Sequence, residues 1–271
     1  MAQSAFTKGF MISGVDLTES DLDALSSLEA NAIPVGKGQS ILDEGAKTDL
    51  CGVLIEGWML RQRTLPDGRR QIVDVLPAGS LFAMNALGVR LSDESLVMLT
   101  PGRISWFSQD ELRRLLGSNP RALAAMLWAE AREAAIMSER ILTLGQRSAI
   151  ERMAHYFIEI GRRLRARGLD DADHFRLPLT QELLGDLLGM TSVHVNRTLK
   201  RLEKEGHIAR RGDEIALKLS PKLYRLAGFQ PHYLHEGDAV RQGGKPPKPE
   251  TTMGGSPPGI RETSRRARTA I

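Results

Sequence analysis

The chain has 271 residues, 41% hydrophobic and 26% charged, with 37 Lys plus Arg, 33 Asp plus Glu and one cysteine. That balance excludes a disordered chain, and the length favours two domains. Cys51 alone excludes a disulfide framework and any zinc or iron–sulfur site built from several thiolates. No run approaches the roughly 18 apolar residues of a membrane span, and residues 1–10 lack a signal peptide's apolar core, so no membrane and a cytoplasmic location are expected. The net charge of +4 hides an asymmetry. Residues 1–143 carry 14 basic and 18 acidic side chains, residues 144–222 carry 15 and 11, and residues 223–271 carry 8 and 4. An acidic front joined to a basic back points to a polyanionic partner for the back.

Thr18 through Leu28 predicts a helix, with Thr18 as N-cap and Leu22, Leu25 and Leu28 on one face. From Asp16 to Trp106 glycine and proline cut the chain at short intervals, as at Gly45, Gly57, Pro66-Asp67-Gly68 and Pro77-Ala78-Gly79. The short apolar runs between them, such as Val53-Leu54-Ile55 and Gln71 to Leu76, predict strands of a sandwich or barrel.

Then the period changes. Pro120 suits the first turn of a helix capped by Ser118 or Asn119. Leu123, Leu127, Glu130, Ala134, Met137, Ile141 and Leu144 follow at alternating spacings of four and three, the a and d positions of a heptad. So narrow a stripe suits pairing with its copy in a second subunit, or packing on the chain's own β core. A further helix, Ile150 to Arg165, places Met153, Phe157, Ile160 and Leu164 on one face, and an acidic loop with Asp170, Asp171 and Asp173 follows. Past about Leu226 the chain turns rich in Gly and Pro, and residues 223–271 are expected to be a disordered basic tail.

The segment from Leu179 to Leu217 carries the chemistry. Thr180 is an N-cap candidate for a helix with Leu183, Leu184, Leu187 and Leu188 on its apolar face, and Gly189 must end it. Thr191 or Ser192 caps a second helix that runs to about Glu205 and closes at Gly206, which completes a helix-turn-helix. In that second helix Val195, Leu199 and Leu202 point to the core, leaving Val193, Asn196, Arg197, Lys200, Arg201 and Lys204 outside with His194 at the flank. Arg pairs with guanine O6 and N7, Asn with adenine N6 and N7, and Val meets a thymine methyl, so Val193, Asn196 and Arg197 are placed for base readout. Thr191, Ser192, Lys200 and Arg201 are placed for phosphate contact. Ile208 through Leu217, turning at Arg211-Gly212-Asp213, reads as a β wing whose Arg210 and Arg211 straddle the neighbouring backbone. Cap, glycine turn, core face and wing in order outweigh a merely solvated basic face.

These motifs resemble the Crp/Fnr family of bacterial transcription regulators over roughly residues 15–220. Leu179-Thr180-Gln181-Glu182-Leu183-Leu184-Gly185 and Gly189 through Leu199 are similar to that family's helix-turn-helix. Gly38-x-Ser40-Ile41-x-Asp43-Glu44-Gly45, Leu54-Ile55-Glu56-Gly57-Trp58, Asp67-Gly68-Arg69 and Leu76 to Phe82 are similar to its cyclic-nucleotide-binding-like β-roll. The resemblance implies an α+β fold. A jelly-roll-like antiparallel sensor domain spans 1–117, a dimerisation helix 118–145, and a winged helix-turn-helix 146–222. It also implies a homodimer joined through Leu123, Leu127, Ala134, Met137, Ile141 and Leu144, bound to a palindromic operator in double-stranded DNA and contacting RNA polymerase. The DNA-binding set is Thr180, Gln181, Thr191, Ser192, Val193, His194, Asn196, Arg197, Lys200, Arg201, Arg210 and Arg211. Nothing resembles a catalytic set, so no enzyme activity is expected.

Departures from the family pattern shape the expected signal. Members that bind cyclic AMP carry Gly-Glu-Leu and a downstream Arg-Ala; here stand Gly79-Ser80-Leu81-Phe82, and Ser92 to Thr100 holds no Arg or Lys. Only Arg90 and Arg103 offer a substitute cation, so cyclic AMP binding is not expected. Oxygen-sensing members hold an iron–sulfur cluster on four cysteines, which Cys51 cannot provide. No His lies in residues 1–143, which excludes a His-ligated haem there. Cys51 reads as a core thiol rather than a redox sensor. Val193 replaces a base-reading Glu found in many members, so the operator should differ there. An effector-binding module acting through protein contacts, with degenerate DNA binding, is the alternative.

Overall fold

A computed structural model describes residues 3–89 and 91–236. Helices α1 (Ala5–Met11) and α2 (Glu19–Ser26) precede eight strands: β1 (Ala32–Val35), β2 (Ser40–Leu42), β3 (Leu50–Glu56), β4 (Trp58–Thr64), β5 (Arg70–Pro77), β6 (Ser80–Phe82), β7 (Ser95–Met98) and β8 (Gly102–Ser108). Helices α3 (Gln109–Ser118), α4 (Pro120–Gln146) and α5 (Ala149–Ala166) follow. The C-terminal part consists of β9 (His174–Arg176), α6 (Gln181–Leu188), α7 (Ser192–Lys204), β10 (Ile208–Arg211), β11 (Glu214–Leu217) and α8 (Pro221–Ala227).

The β strands form two four-stranded antiparallel sheets, ordered β1-β8-β3-β6 and β2-β7-β4-β5. Their facing sides bury Leu54, Met59, Leu76, Phe82, Met98 and Ile104. On the other side of the first sheet, Cys51 and Val53 pack with Phe6, Phe10, Leu25, Leu112 and Met126, so α1 to α4 cover it. Thr18 does cap α2, its hydroxyl accepting from the Asp21 amide at 3.2 Å while Asp21 accepts from Thr18 in return. Asn119 precedes α4 but spends its side chain on the Leu115 carbonyl at 2.8 Å; Pro120 at the first position sets the helix start instead.

Arginines bury one face of α4 along with its apolar residues. Ala122, Ala125, Met126, Arg132, Ile136, Arg140 and Thr143 face the protein. The heptad stripe lies on another side. Leu123 and Ala134 are exposed, Leu127 is 62% and Ile141 73% exposed, and Met137 and Leu144 are half-buried. The core of the C-terminal half is continuous with the β-roll: Leu60, Ile72 and Val75 pack with Ile136 and with Phe157, Leu187 and Leu199 in one cluster.

Two expectations need correction. The chain does not become disordered at residue 223. Leu223, Ala227, Phe229 and Leu234 are fully or almost fully buried, and the Tyr233 hydroxyl donates to Glu159 at 2.9 Å. Arg162 pairs with Glu236, and Arg132 Nε donates to the Leu234 carbonyl at 2.7 Å. Residues 223–236 are thus a packed extension of the C-terminal half; residues 237–271 lie outside the described residues. Second, the loop after α5 contains a strand. Phe175 is buried and pairs with Ile215, so the wing is a three-stranded sheet ordered β10-β11-β9. Among the described residues no helix is long and apolar enough to cross a membrane.

Candidate nucleic-acid interface

Helices α6 and α7 are placed by short polar groups at their ends. Thr180 accepts from the Leu183 amide at 3.2 Å and Thr191 accepts from the His194 amide at 3.3 Å, so Thr191, not Ser192, caps α7. Gly189 ends α6 at φ +64, and the Met190 amide donates back to the Gly185 carbonyl at 3.0 Å. Gly185 is needed as well: a Cβ there would lie 2.5 Å from the Met190 carbonyl oxygen. That close approach folds the turn onto α6, and it was not read from the sequence.

With Val195, Leu199 and Leu202 buried, α7 presents the opposite face to solvent. Thr191, Ser192, Val193, His194, Arg197, Lys200 and Arg201 are all exposed, Val193 at 68%. Asn196 is half-buried and donates to Gln181 Oε1 at 3.1 Å, which ties the first turns of the two helices together. The exposed cations divide by partner. Arg201 pairs with Glu205 at 2.8 Å, and Arg210 lies 3.8 Å from Glu203. Arg197, Lys200, Lys204 and Arg211 have no ion pair among the described residues. A phosphate or base edge would meet these cations without first displacing a carboxylate.

Behind this face the helices are anchored to the front half. Arg70 Nε of β5 donates to Asp186 at 2.9 Å, and Gln71 Nε2 donates to the Asp186 carbonyl at 2.6 Å. Deeper lies a buried ionic cluster contributed by three elements. Arg163 of α5 donates to both Asp74 oxygens at 2.9 and 2.7 Å, and Arg140 of α4 donates to Glu159 at 2.8 Å and to Asp74 at 3.4 Å. Burial works to raise the Asp74 carboxyl pKa, but the Arg163 and Arg140 guanidiniums outweigh it and hold it down to about 2. His155 is buried beside Tyr233 and Phe229 with its Nε2 3.2 Å from Glu139; burial first, then the Arg147 and Arg140 charges, push its pKa down to about 3. Sequence reasoning found the exposed cations but missed these buried ones.

The front half departs from the cyclic AMP-binding pattern at the residues named above. Ser80 is buried where a carboxylate would be required. Gly79, at φ +78, is covered by α1: a Cβ there would lie 2.6 Å from the Ala5 backbone. Arg103 sits outside on β8, 3.5 Å from Glu56, and Arg90 lies outside the described residues. A cation that does face the cavity is Arg61, already held by Glu94 through two bonds at 2.8 and 3.1 Å. Cys51 is fully buried, and burial pushes its thiol up to about 11, which leaves it an unreactive core group.

Comparison with known proteins agrees with this architecture. A Crp-like helix-turn-helix domain model matches residues 151–226, and a cyclic nucleotide-binding domain model matches residues 33–119. The fumarate nitrate reduction regulatory protein of Klebsiella oxytoca is 27% identical over 212 residues, covering 78% of this chain and 84% of that one. Its Escherichia coli K12 counterpart shows the same identity and coverage. Among solved structures, FixK2 from Bradyrhizobium japonicum superposes with a TM-score of 0.66 at 23% identity, over 74% of this chain and 98% of that one. A CooA mutant from Carboxydothermus hydrogenoformans gives 0.61 at 16% identity, over 74% and 90%. These two share the fold. With both halves matched by family models, the chain belongs to the Crp/Fnr family and is a transcription regulator with a helix-turn-helix DNA-binding domain, not an enzyme.

Proposed function

We propose that the protein binds a palindromic operator as a homodimer, joined along α4, with one α7 in each of two successive major grooves. The observation that carries this reading is the solvent face of α7. It holds unpaired Arg197 and Lys200 on a helix whose start is fixed by the Thr191 cap and the turn at Gly189. Val193, Asn196 and Arg197 read bases; Thr180, Gln181, Thr191, Ser192, His194, Lys200 and Arg201 position the backbone, and Arg210 and Arg211 reach the flanking phosphates. Dimerisation is supported by the stripe of Leu123, Leu127, Ala134 and Ile141, which the chain leaves exposed on its longest helix. Met137 and Leu144 complete the stripe from a half-buried position. Family membership supports RNA polymerase contact and a cytoplasmic location. Residues 33–119 form the core of the sensor half, and 149–236 the DNA-binding half. Cyclic AMP does not fit the residues around Gly79, and one buried cysteine cannot hold an iron–sulfur cluster, so the signal is of another kind.

Footprinting with sedimentation tests this. The wild type should protect a symmetric site with half-sites about one helical turn apart. Ile141→Glu, which puts a charge in the stripe, should leave a folded monomer with a weakened footprint. A protein that binds no DNA at any salt concentration would instead favour a module acting through protein contacts.

A further inference from the structure

Between the two sheets' β4, β6 and β7, α1 and α4 lies a cavity of about 390 Å³, within the range of small-molecule sites, which run from about 300 to 1,000 Å³. Phe6, Phe10, Phe82 and Trp128 give it apolar walls. Two arginines line it from outside the residues matched to the cyclic nucleotide-binding domain: Arg132 of α4, 4% exposed, and Arg167, just after α5, 7% exposed. Each has spent only part of its hydrogen-bonding capacity. Arg132 Nε donates to Leu234 and its guanidinium lies 5.8 Å from the Trp128 ring, but its Nη2 has no hydrogen-bond partner among the described residues. Arg167 Nη1 donates to the Arg163 carbonyl at 3.4 Å, but its Nε has no partner there. The Ser80 hydroxyl in the same wall is also unbonded. Burial pulls the Arg167 pKa down to about 9, aided by the like charges of Arg132 and Arg163. Buried cations with unspent N–H groups are costly, and an anion between them would relieve that cost.

We propose that this cavity binds a small organic monocarboxylate with an apolar body, its carboxylate held by Arg132 and Arg167 and its body packed among the aromatic walls. A single negative charge fits better than a phosphate dianion. Glu133 also lines the cavity, its Oε2 unbonded and 3.9 Å from Arg61, and Glu94 and Glu130 share the wall. Those carboxylates oppose a second negative charge. The ligand would bridge α4 to the end of α5, the helix that carries Arg163 and leads into the DNA-binding half. The proposal deepens the reading of the front half as a sensor and does not depend on the operator assignment.

The test is calorimetry and thermal shift on the full chain, with 3-phenylpropionate, octanoate, their amides, inorganic phosphate and cyclic AMP as probes. At least one carboxylate should bind and raise Tm while its amide does not. Arg132→Gln and Arg167→Gln should each weaken binding about tenfold or more, the scale of a lost charge-assisted bond, and Arg103→Gln should leave it unchanged. Should either variant fail to fold, the acid–amide contrast in the wild type remains, read also as shifts of the two arginine Nε–H resonances in ¹⁵N NMR. The proposal falls if neither carboxylate binds, if acid and amide act alike, or if phosphate or cyclic AMP binds and the carboxylates do not. DNA binding by the same preparation, scored separately, tells failure of this site from failure of the DNA reading.

Discussion

The arginines of α7 and those at the α4–α5 junction are chemically identical and serve opposite ends. Arg197 lies exposed with no ion pair among the described residues; Arg163 and Arg140 are buried and held by Asp74 and Glu159. An exposed, unpaired cation contributes little to folding and keeps its charge for a partner. A buried one must be paired, and once paired it fixes the elements that supply the pair. The junction cluster therefore decides how the DNA-binding half sits on the β-roll, while the α7 face decides what that half binds.

Substitutions should separate the two regions, and the largest effect belongs to the junction. Asp74→Ala strands two buried guanidiniums and should cost about 3–5 kcal/mol in denaturant unfolding; a loss under about 1 kcal/mol would mean the cluster is not the anchor described. Acid should weaken the same region in two stages. Because His155 is held near 3 when folded, the unfolded chain takes up its proton first as pH falls below about 6.5, and stability drops from there. The Asp74 contribution, full above about 4, is lost as pH falls toward 2 and amounts to roughly 2 kcal/mol. His155→Phe should flatten the upper stage of a Tm–pH curve and leave the lower one. A smaller change is expected at the helix start, where Thr191→Ala should cost about 1 kcal/mol through the lost cap. Thermal unfolding would register that, and Ser192→Ala would serve as its neutral control.

How much of this was legible in the sequence follows the same division. The helix-turn-helix was readable because its signals are local: Thr180, Gly189 and Thr191 act within a few residues of where they stand. The exposed stripe of α4 was readable for the same reason, since its spacing is a property of one helix. The buried ionic cluster was not, because Arg163 and Asp74 are 89 residues apart in the chain and nothing near Arg163 announces a partner. Strand β9 was missed because three residues carry no period of their own; pairing with β11 makes them a strand. Residues 223–236 were misjudged on Gly and Pro content. Tyr224, Phe229 and Tyr233 held the contrary signal, two of the chain's three tyrosines within ten residues: Phe229 meets both tyrosines edge-on, and Tyr233 stacks on His155.

The measurement that goes most directly to the division of labour is equilibrium binding of wild type, Arg197→Ala and Lys200→Ala to the operator and to a scrambled duplex, titrated with salt. Arg197→Ala should lose about 1–3 kcal/mol on the operator and much less on scrambled DNA. Lys200→Ala should weaken both alike and reduce the salt slope by about one. Equal losses for the two variants on both duplexes would contradict the assignment of base reading to Arg197 and of backbone contact to Lys200.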